Sequence, residues 1–254
     1  MTTSASEYLQ RILPENSLKL DQYDPEFWNI FSSFAFDEVV NLRLPGGEAP
    51  LDESTRFLAI LATLLGCQGV DAFTMMLPAA LNAGLTPIAV KETVYQAVAY
   101  LGLGRALPFF DAVNAEFIRR GIHLPMEDRA TVDRKSRRNA GNQIQIEVFG
   151  EGLRESWNAG PEEKRHMNLW LADNCFGDYY TRNGLTLQQR EMITFCFLSA
   201  QGGCEPQLIA HAKGNMTVGN DRVFLIQVVS QCMPYIGYPR TLNALNCIDR
   251  AAQQ

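Results

Sequence analysis

The sequence has 254 residues, a formal net charge of −6 and a pI near 5.2, and 46% of its residues are hydrophobic. An acidic chain of ordinary globular composition lacks a basic footprint, so we expect no nucleic-acid partner. The longest apolar run, residues 57–65, is too short to span a bilayer, and no apolar signal peptide opens the sequence. We therefore expect a cytoplasmic protein without a membrane partner, whose six cysteines stay free thiols.

Helical signals follow one another along the chain, and few segments alternate as strands do. Asp71, Thr86 and Asp221 are the predicted N-caps, and most predicted helices stop at a glycine. The predicted helices span residues 56–66, 72–83, 87–101 and 105–119 in the first half, and 186–200, 205–218, 221–233 and 239–252 in the second. Mostly apolar helices joined by short loops are typical of a bundle, so the sequence predicts an all-α protein.

A polar connection separates the two halves. It covers residues 121–133, and a further helix is predicted over residues 134–149 at the start of the second half. We therefore predict two domains, residues 1–125 and residues 126–254, which are named the first repeat and the second repeat.

The second repeat restates the first. Five residues recur at a spacing of 135 positions, and Arg56 recurs as Arg190 at a spacing of 134. The five pairs are Gly84 and Gly219, Gln96 and Gln231, Tyr100 and Tyr235, Gly102 and Gly237, and Arg105 and Arg240. A period this long indicates a duplicated domain. Positions that match indicate shared architecture. Positions that differ indicate where one copy has kept reactive groups that the other has lost.

About a dozen positions form a pattern of fixed order and spacing. In the second repeat they are Phe176–Leu185, Arg190, Gly202–Leu208, His211, Gly219 and Pro234–Pro239. In the first repeat they are Arg56, Gly84, Lys91, Glu92, Gln96, Tyr100 and Gly102. This pattern resembles the carboxymuconolactone decarboxylase family. The resemblance implies an all-α fold of two tandem alkylhydroperoxidase D-like (AhpD-like) helical domains.

Some relatives with this fold are disulfide reductases. The resemblance implies that their activity depends on a CxxC motif followed by a histidine on the same helix, with a glutamate nearby. Here the corresponding loops contain one cysteine each, Cys67 and Cys204. A dithiol peroxidase needs a second thiol to resolve the first, so the sequence disfavours that activity.

His211 is the first candidate for chemistry, because histidine exchanges protons near neutral pH and the matching residue of the first repeat is Met76. Glu92 is the second candidate, and its counterpart is Gln227. A structural histidine and a solvated helical glutamate are the alternatives. Because the acid lies in one repeat and the histidine in the other, a site between the repeats or between subunits could combine them.

Further candidates lie near the start of two helices. Cys204 precedes a helix whose N-terminus is expected to lower the pKa of the thiol, and Glu205 complements the helix dipole. Arg182 and Arg190 are candidates to bind a substrate carboxylate, or else to cap or bridge helices. No ligand spacing for a metal and no phosphate or dinucleotide motif occurs, so we expect no metal and no cofactor.

The resemblance implies a cofactor-free carboxy-lyase that converts 4-carboxymuconolactone, or a related acid of aromatic catabolism, with loss of CO₂. We assign His211 as acid or oxyanion donor, Glu92 as proton relay and Cys204 as a catalytic thiol, with Arg182, Arg190 and Glu205 around the substrate. The alternatives are a thiol-dependent peroxidase of the AhpD-like group and a non-catalytic paralogue.

The resemblance also implies hexamers for single-domain relatives. Two fused copies per chain then predict a homotrimer of pseudo-hexameric arrangement, whose interfaces bury more than roughly 2,000 Å² per pair.

Overall fold

The computed structural model describes residues 3–13, 19–45 and 49–253. Within those ranges every regular element is helical, which confirms the all-α prediction. The α-helices are α1 Thr3–Ile12, α2 Leu20–Tyr23, α3 Pro25–Ser33, α4 Glu53–Gly66, α5 Val70–Asn82, α6 Pro87–Leu101, α7 Leu103–Arg119, α8 Arg137–Phe149, α9 Arg165–Trp170, α10 Leu187–Gln201, α11 Glu205–Thr217 and α12 Arg222–Ala252. No helix in the described part of the chain is long and apolar enough to cross a membrane.

The helices of the two repeats occur in the same order, which confirms the tandem duplication. Helix α3 runs into a π-helical segment, Phe34–Glu38, and α9 runs into another, Leu171–Tyr180. Helices α4, α5, α6 and α7 then correspond to α10, α11 and the two parts of α12. The predicted helices 221–233 and 239–252 are thus continuous except for a kink at Gly237.

Two glycines in matching positions turn the chain in the same way. Gly102 lies between α6 and α7 with φ 77° and ψ 153°, and Gly237 lies inside α12 with φ 74° and ψ 170°. Positive φ at these angles is strained for residues with a side chain. The matched pair therefore reports a shared backbone requirement.

Side-chain caps fix the starts of α4, α6, α10 and α12. Thr86 accepts a hydrogen bond from the Ala89 amide, and Asp221 accepts one from the Phe224 amide, as predicted. The prediction for Asp71 is wrong, because α5 begins at Val70 and Asp71 lies in its first turn. The reason is that Gln68 and Gly69 turn the backbone into the helix two residues earlier.

Helices α4 and α10 pack against each other at the centre of the protein. They approach each other closely at Gly66, where an added Cβ would lie 2.7 Å from the Ala200 Cβ and 2.7 Å from the Phe197 carbonyl oxygen. Both helices are buried along most of their length, and one continuous core joins side chains of both repeats. The repeats therefore form one packed unit, and the domain boundary at 125/126, between α7 and α8, stays a prediction.

Each repeat's central arginine is bound by a glutamine of the other repeat. Arg56 donates from Nε to the Gln231 side chain over 2.7 Å, and Arg190 donates from Nη1 to the Gln96 side chain over 2.9 Å. Both arginines are almost fully buried. These matched residues, which reveal the duplication in the sequence, are thus the polar contacts that join the repeats.

Candidate functional site between the two repeats

His211 lies on α11 with its ring almost buried. Its Nδ1 is 2.9 Å from Oε2 of Glu191 on α10, and that carboxyl group is fully buried. The edges of Tyr100 on α6 and Phe149 on α8 meet the ring at centroid distances of 5.5 and 5.3 Å. The first repeat contributes Tyr100, so the environment of the histidine is formed by both repeats.

The other carboxylate oxygen of Glu191 is also engaged. The Tyr180 hydroxyl donates to Oε1 over 2.8 Å, and it lies 2.7 Å from the Thr194 hydroxyl and 2.9 Å from the Tyr100 hydroxyl. These side chains form a continuous set of hydrogen bonds. We name it the His211 network, and its members are His211, Glu191, Tyr180, Tyr100 and Thr194.

Burial keeps the phenols of this network protonated. Desolvation raises the pKa of Tyr100 and of Tyr180 well above the usual value for a tyrosine. Both hydroxyls are therefore neutral near pH 7 and remain hydrogen-bond donors. A buried carboxylate is costly unless donors surround it, and His211 and Tyr180 supply them for Glu191.

A glycine makes room for this arrangement. A Cβ added at Gly214 would lie 2.9 Å from Glu191 Oε2 and 2.6 Å from a methyl carbon of Val148. The matching residue of the first repeat, 135 positions earlier, is Ala79. Gly214 is therefore required by the carboxylate, which the first repeat lacks.

The second ring nitrogen of His211, Nε2, is not engaged by the His211 network. Nε2 has no hydrogen-bond partner among the described residues. It is also absent from the fully buried unpaired atoms of that part of the chain, which are Arg129 Nε, Arg137 Nε, Arg190 Nε and Ser199 Oγ. Only 9% of the side chain is exposed, and the four cavities described among these residues are lined by other side chains. Access to Nε2 is therefore narrow.

Glu92 lies in a separate buried ion cluster. Its carboxylate accepts from Arg182 Nε over 3.0 and 3.1 Å, and from Arg190 Nη2 over 3.0 Å. Glu92 and His211 are not in contact. Arg190, Gln96, Thr194, Tyr180 and Glu191 connect them through successive hydrogen bonds.

The two predicted substrate arginines differ in what they offer. Arg190 is 1% exposed, and its terminal nitrogens bind Gln96, Glu92 and the Arg182 carbonyl. It bridges helices, which was the alternative reading of the sequence. Arg182 keeps 17% of its side chain exposed and lines a cavity of about 90 Å³, so it is the arginine that solvent reaches.

The environment of Cys204 corrects the expected lowering of its pKa. Burial raises the pKa of the thiol, and this outweighs the hydrogen bond from Gln201 and the position at the start of α11. Glu205 accepts a hydrogen bond from Asn243 and lines a surface cavity that no member of the His211 network lines. All six cysteines are free, as predicted. The described residues contain no cluster of His, Cys, Asp and Glu that could hold a metal.

Sequence reasoning missed Glu191, the direct partner of His211, and did not assign Tyr180 or Thr194. A signal was present, because the spacing of 134 that relates Arg56 to Arg190 places Phe57 opposite Glu191 and Ile60 opposite Thr194. Comparison of the two central helices therefore separates the polar members of the network from apolar counterparts.

A duplicated helical unit whose second copy holds a buried histidine–glutamate pair beside Tyr100 of the first copy defines a tandem protein of the AhpD-like class. The model of the carboxymuconolactone decarboxylase family matches residues 25–115 and 167–250, which is more than half of the chain. The protein belongs to that family. A search of curated proteins found no significant match.

A solved structure supports the fold. The crystal structure of a protein titled as a gamma-carboxymuconolactone decarboxylase subunit, from Burkholderia xenovorans, superposes with a TM-score of 0.53. The alignment covers 98% of this chain and 96% of the other, at 16% sequence identity. At that identity the similarity concerns the fold alone.

Proposed function

We propose that the protein is a cofactor-free carboxy-lyase that acts on a small carboxylated lactone or a related acid. The observation that carries this proposal is the buried Glu191–His211 pair with two neutral phenols beside it, on one side of the repeat interface only. A carboxylate on Nδ1 fixes the orientation of the ring, so that in an imidazolium the second N–H is carried at Nε2.

The reaction needs one proton delivered to carbon. The carboxylate of the substrate leaves as CO₂, and the electron pair of the broken bond moves into the conjugated lactone carbonyl as a dienolate. The imidazolium of His211 then donates its Nε2 proton to the carbon, and the pair of electrons forms the new C–H bond. Solvent returns a proton to the ring, so one proton is consumed for each CO₂ released.

Access of the substrate to His211 requires movement of a neighbouring side chain. Because Tyr100 and Phe149 cover two sides of the imidazole, a lactone reaches Nε2 only if one of these rings turns away. We place Arg182 at the entrance for a carboxylate, because it is the better exposed of the two arginines. Glu92 remains a proton-relay proposal through the hydrogen bonds that lead to the network.

The test is conversion of 4-carboxymuconolactone by the full chain, followed by UV absorbance. We expect His211→Gln to lower kcat at least 100-fold, since general acid catalysis contributes about 10²–10⁴. Met76→Leu, at the matching site of the first repeat, should leave kcat unchanged. Absence of conversion by the wild-type chain would favour the non-catalytic paralogue, and full activity of His211→Gln would exclude the proposed role.

The thiol-dependent peroxidase is the weaker alternative. Burial raises the pKa of both Cys67 and Cys204, and neither forms a disulfide. A peroxide-reactive thiol requires thiolate, which these environments disfavour. Peroxide consumption that is abolished by Cys204→Ser would reverse this preference.

We also propose that the chain forms a homotrimer. Large apolar side chains are exposed at matching positions of the repeats: Leu103 with Tyr238, and Leu107 with Leu242, each more than half exposed. A surface that repeats with the internal duplication suits a closed ring of pseudo-hexameric arrangement. Light scattering should give about three times the chain mass of 28.4 kDa, and a mass of one chain would overturn the proposal.

A further inference from the structure

A cavity of about 260 Å³ lies between α3, α4 and α5 of the first repeat and α12 of the second. The side chains that define its shape are Phe27, Trp28, Phe31, Leu64, Met75 and Tyr235. It is separate from the His211 network, which lies on the side of the repeat interface formed by α8, α10 and α11.

Aromatic rings form one wall of this cavity. Phe31 stacks on Trp28 at 5.9 Å and on Phe27 at 6.1 Å, and it meets Tyr235 edge-on at 6.2 Å. These contacts hold the rings in fixed orientations. Aromatic groups prefer offset-stacked or edge-to-face partners, so the wall suits a flat aromatic guest.

The described side chains that line the cavity are uncharged. None of its described lining residues is an Asp, Glu, Lys, Arg or His. The titratable lining groups are Cys67 and Tyr235, and burial raises the pKa of both, that of Tyr235 to about 12. A carboxylate or ammonium would lose its hydration there without gaining a partner, whereas an uncharged ligand would not.

The volume matches a compact ligand. Apolar cavities of about 150 Å³ hold benzene, and pockets for drug-sized ligands begin at about 300 Å³. A space of about 260 Å³ therefore fits one or two fused rings.

Its position is related to the His211 site by the duplication. Tyr235 matches Tyr100, and its hydroxyl lies 3.9 Å from the sulfur of Met76, the counterpart of His211. We propose that this cavity is a second binding site, selective for an uncharged aromatic compound of one or two rings, and independent of the His211 site.

The probe is 2-naphthol, titrated into the full chain by calorimetry at pH 7, with 2-naphthoate as the charged match. We expect the naphthol to bind at least tenfold more tightly than the naphthoate. Ala72→Phe places a ring into the cavity and should weaken naphthol binding at least tenfold, whereas Gln207→Phe, at the matching position of the second repeat, should not. His211→Gln should bind normally, which separates this site from the proposed lyase.

A second measurement covers the case in which Ala72→Phe fails to fold. Cys67 lines the cavity and is half-buried, so bound naphthol should slow its alkylation by N-ethylmaleimide in the wild-type chain, while alkylation of Cys204 stays unchanged. Equal binding of naphthol and naphthoate, no binding by the wild type, or no protection of Cys67 would each overturn the proposal. The absence of binding is also the result expected if a second copy of the chain covers the cavity.

Discussion

The two repeats use one scaffold to surround two different interiors. At three matched positions the second repeat has a buried polar residue where the first has a buried apolar one: Glu191 with Phe57, Thr194 with Ile60, and His211 with Met76. A fourth pair differs in charge, because the first repeat has Glu92 where the second has Gln227. The arginine–glutamine contacts between the repeats are the same on both sides.

The difference shows that the buried polar groups of the His211 network depend on one another. Glu191 is tolerated in the interior because His211 and Tyr180 both bind its carboxylate, and Gly214 leaves space for it. One such residue alone would be a buried group without partners. The first repeat avoids that cost by replacing the set with apolar side chains.

The largest effect is expected from Glu92→Gln, which gives this position the residue of the second repeat, Gln227. The change removes the carboxylate that contacts both arginines, so the buried charge of Arg190 loses its counter-ion and Arg182 keeps the exposed Asp128. Breaking a buried pair costs about 3–5 kcal/mol of unfolding free energy, measured by urea denaturation. Asp128→Asn, on an exposed partner of Arg182, should leave the stability nearly unchanged.

His211→Met should be the next most destabilising change, and it makes the second repeat resemble the first at this position. It leaves one oxygen of the buried Glu191 without its donor, at a cost of about 3 kcal/mol. The double variant with Glu191→Gln removes the charge and should recover part of that loss. If the double variant loses the full sum of the single losses, the pair is not coupled as the geometry indicates.

Substitutions of the matched small residues Gly214 and Ala79 test whether the Glu191 carboxylate needs the space beside it. Gly214→Ala should cost about 1–3 kcal/mol, because the new methyl group overlaps Val148 and the Glu191 carboxylate. The reciprocal change Ala79→Gly should cost about 1–2 kcal/mol, through helix propensity and through loss of a fully buried methyl group. A loss below about 1 kcal/mol in Gly214→Ala would show that the carboxylate does not need the space.

The smallest expected effect concerns the rate at which the Cys204 thiol is alkylated. Burial raises the pKa of Cys204, so its thiolate fraction at pH 7 is below that of a free cysteine. Its alkylation should be slower than that of a free thiol at pH 7, and the rate should rise at alkaline pH as the thiol ionises. Mass spectrometry of the labelled peptide measures it, and reaction at pH 7 faster than glutathione would contradict the assignment.

Sequence comparison predicted the duplication and singled out His211, because Met76 is a clear apolar counterpart. It also read the matched arginines as shared architecture, which the contacts with Gln96 and Gln231 explain. These signals are local or lie at a constant spacing, so one sequence suffices to find them.

The rest depends on contacts distant in sequence. Glu92 meets Arg182 and Arg190 from 90 and 98 positions away, and no spacing rule relates these residues. The thiol of Cys204 was misread because its helix position was visible and its desolvation was not. Glu191 was missed because it follows Arg190 directly, and that matched arginine drew attention to shared architecture.

Each central arginine binds a glutamine of the other repeat, Arg56 with Gln231 and Arg190 with Gln96. These contacts constrain how the chain folds during synthesis. When the first repeat leaves the ribosome, Arg56 has its partners Tyr8 and Ala35 but lacks Gln231, and one face of α4 stays uncovered until α10 and α12 follow. Neither half is then a folding unit, and the molecule should unfold in one cooperative transition. A chain cleaved in the connection at residues 121–133 should accordingly give two fragments that are unstructured apart and regain helical structure when mixed.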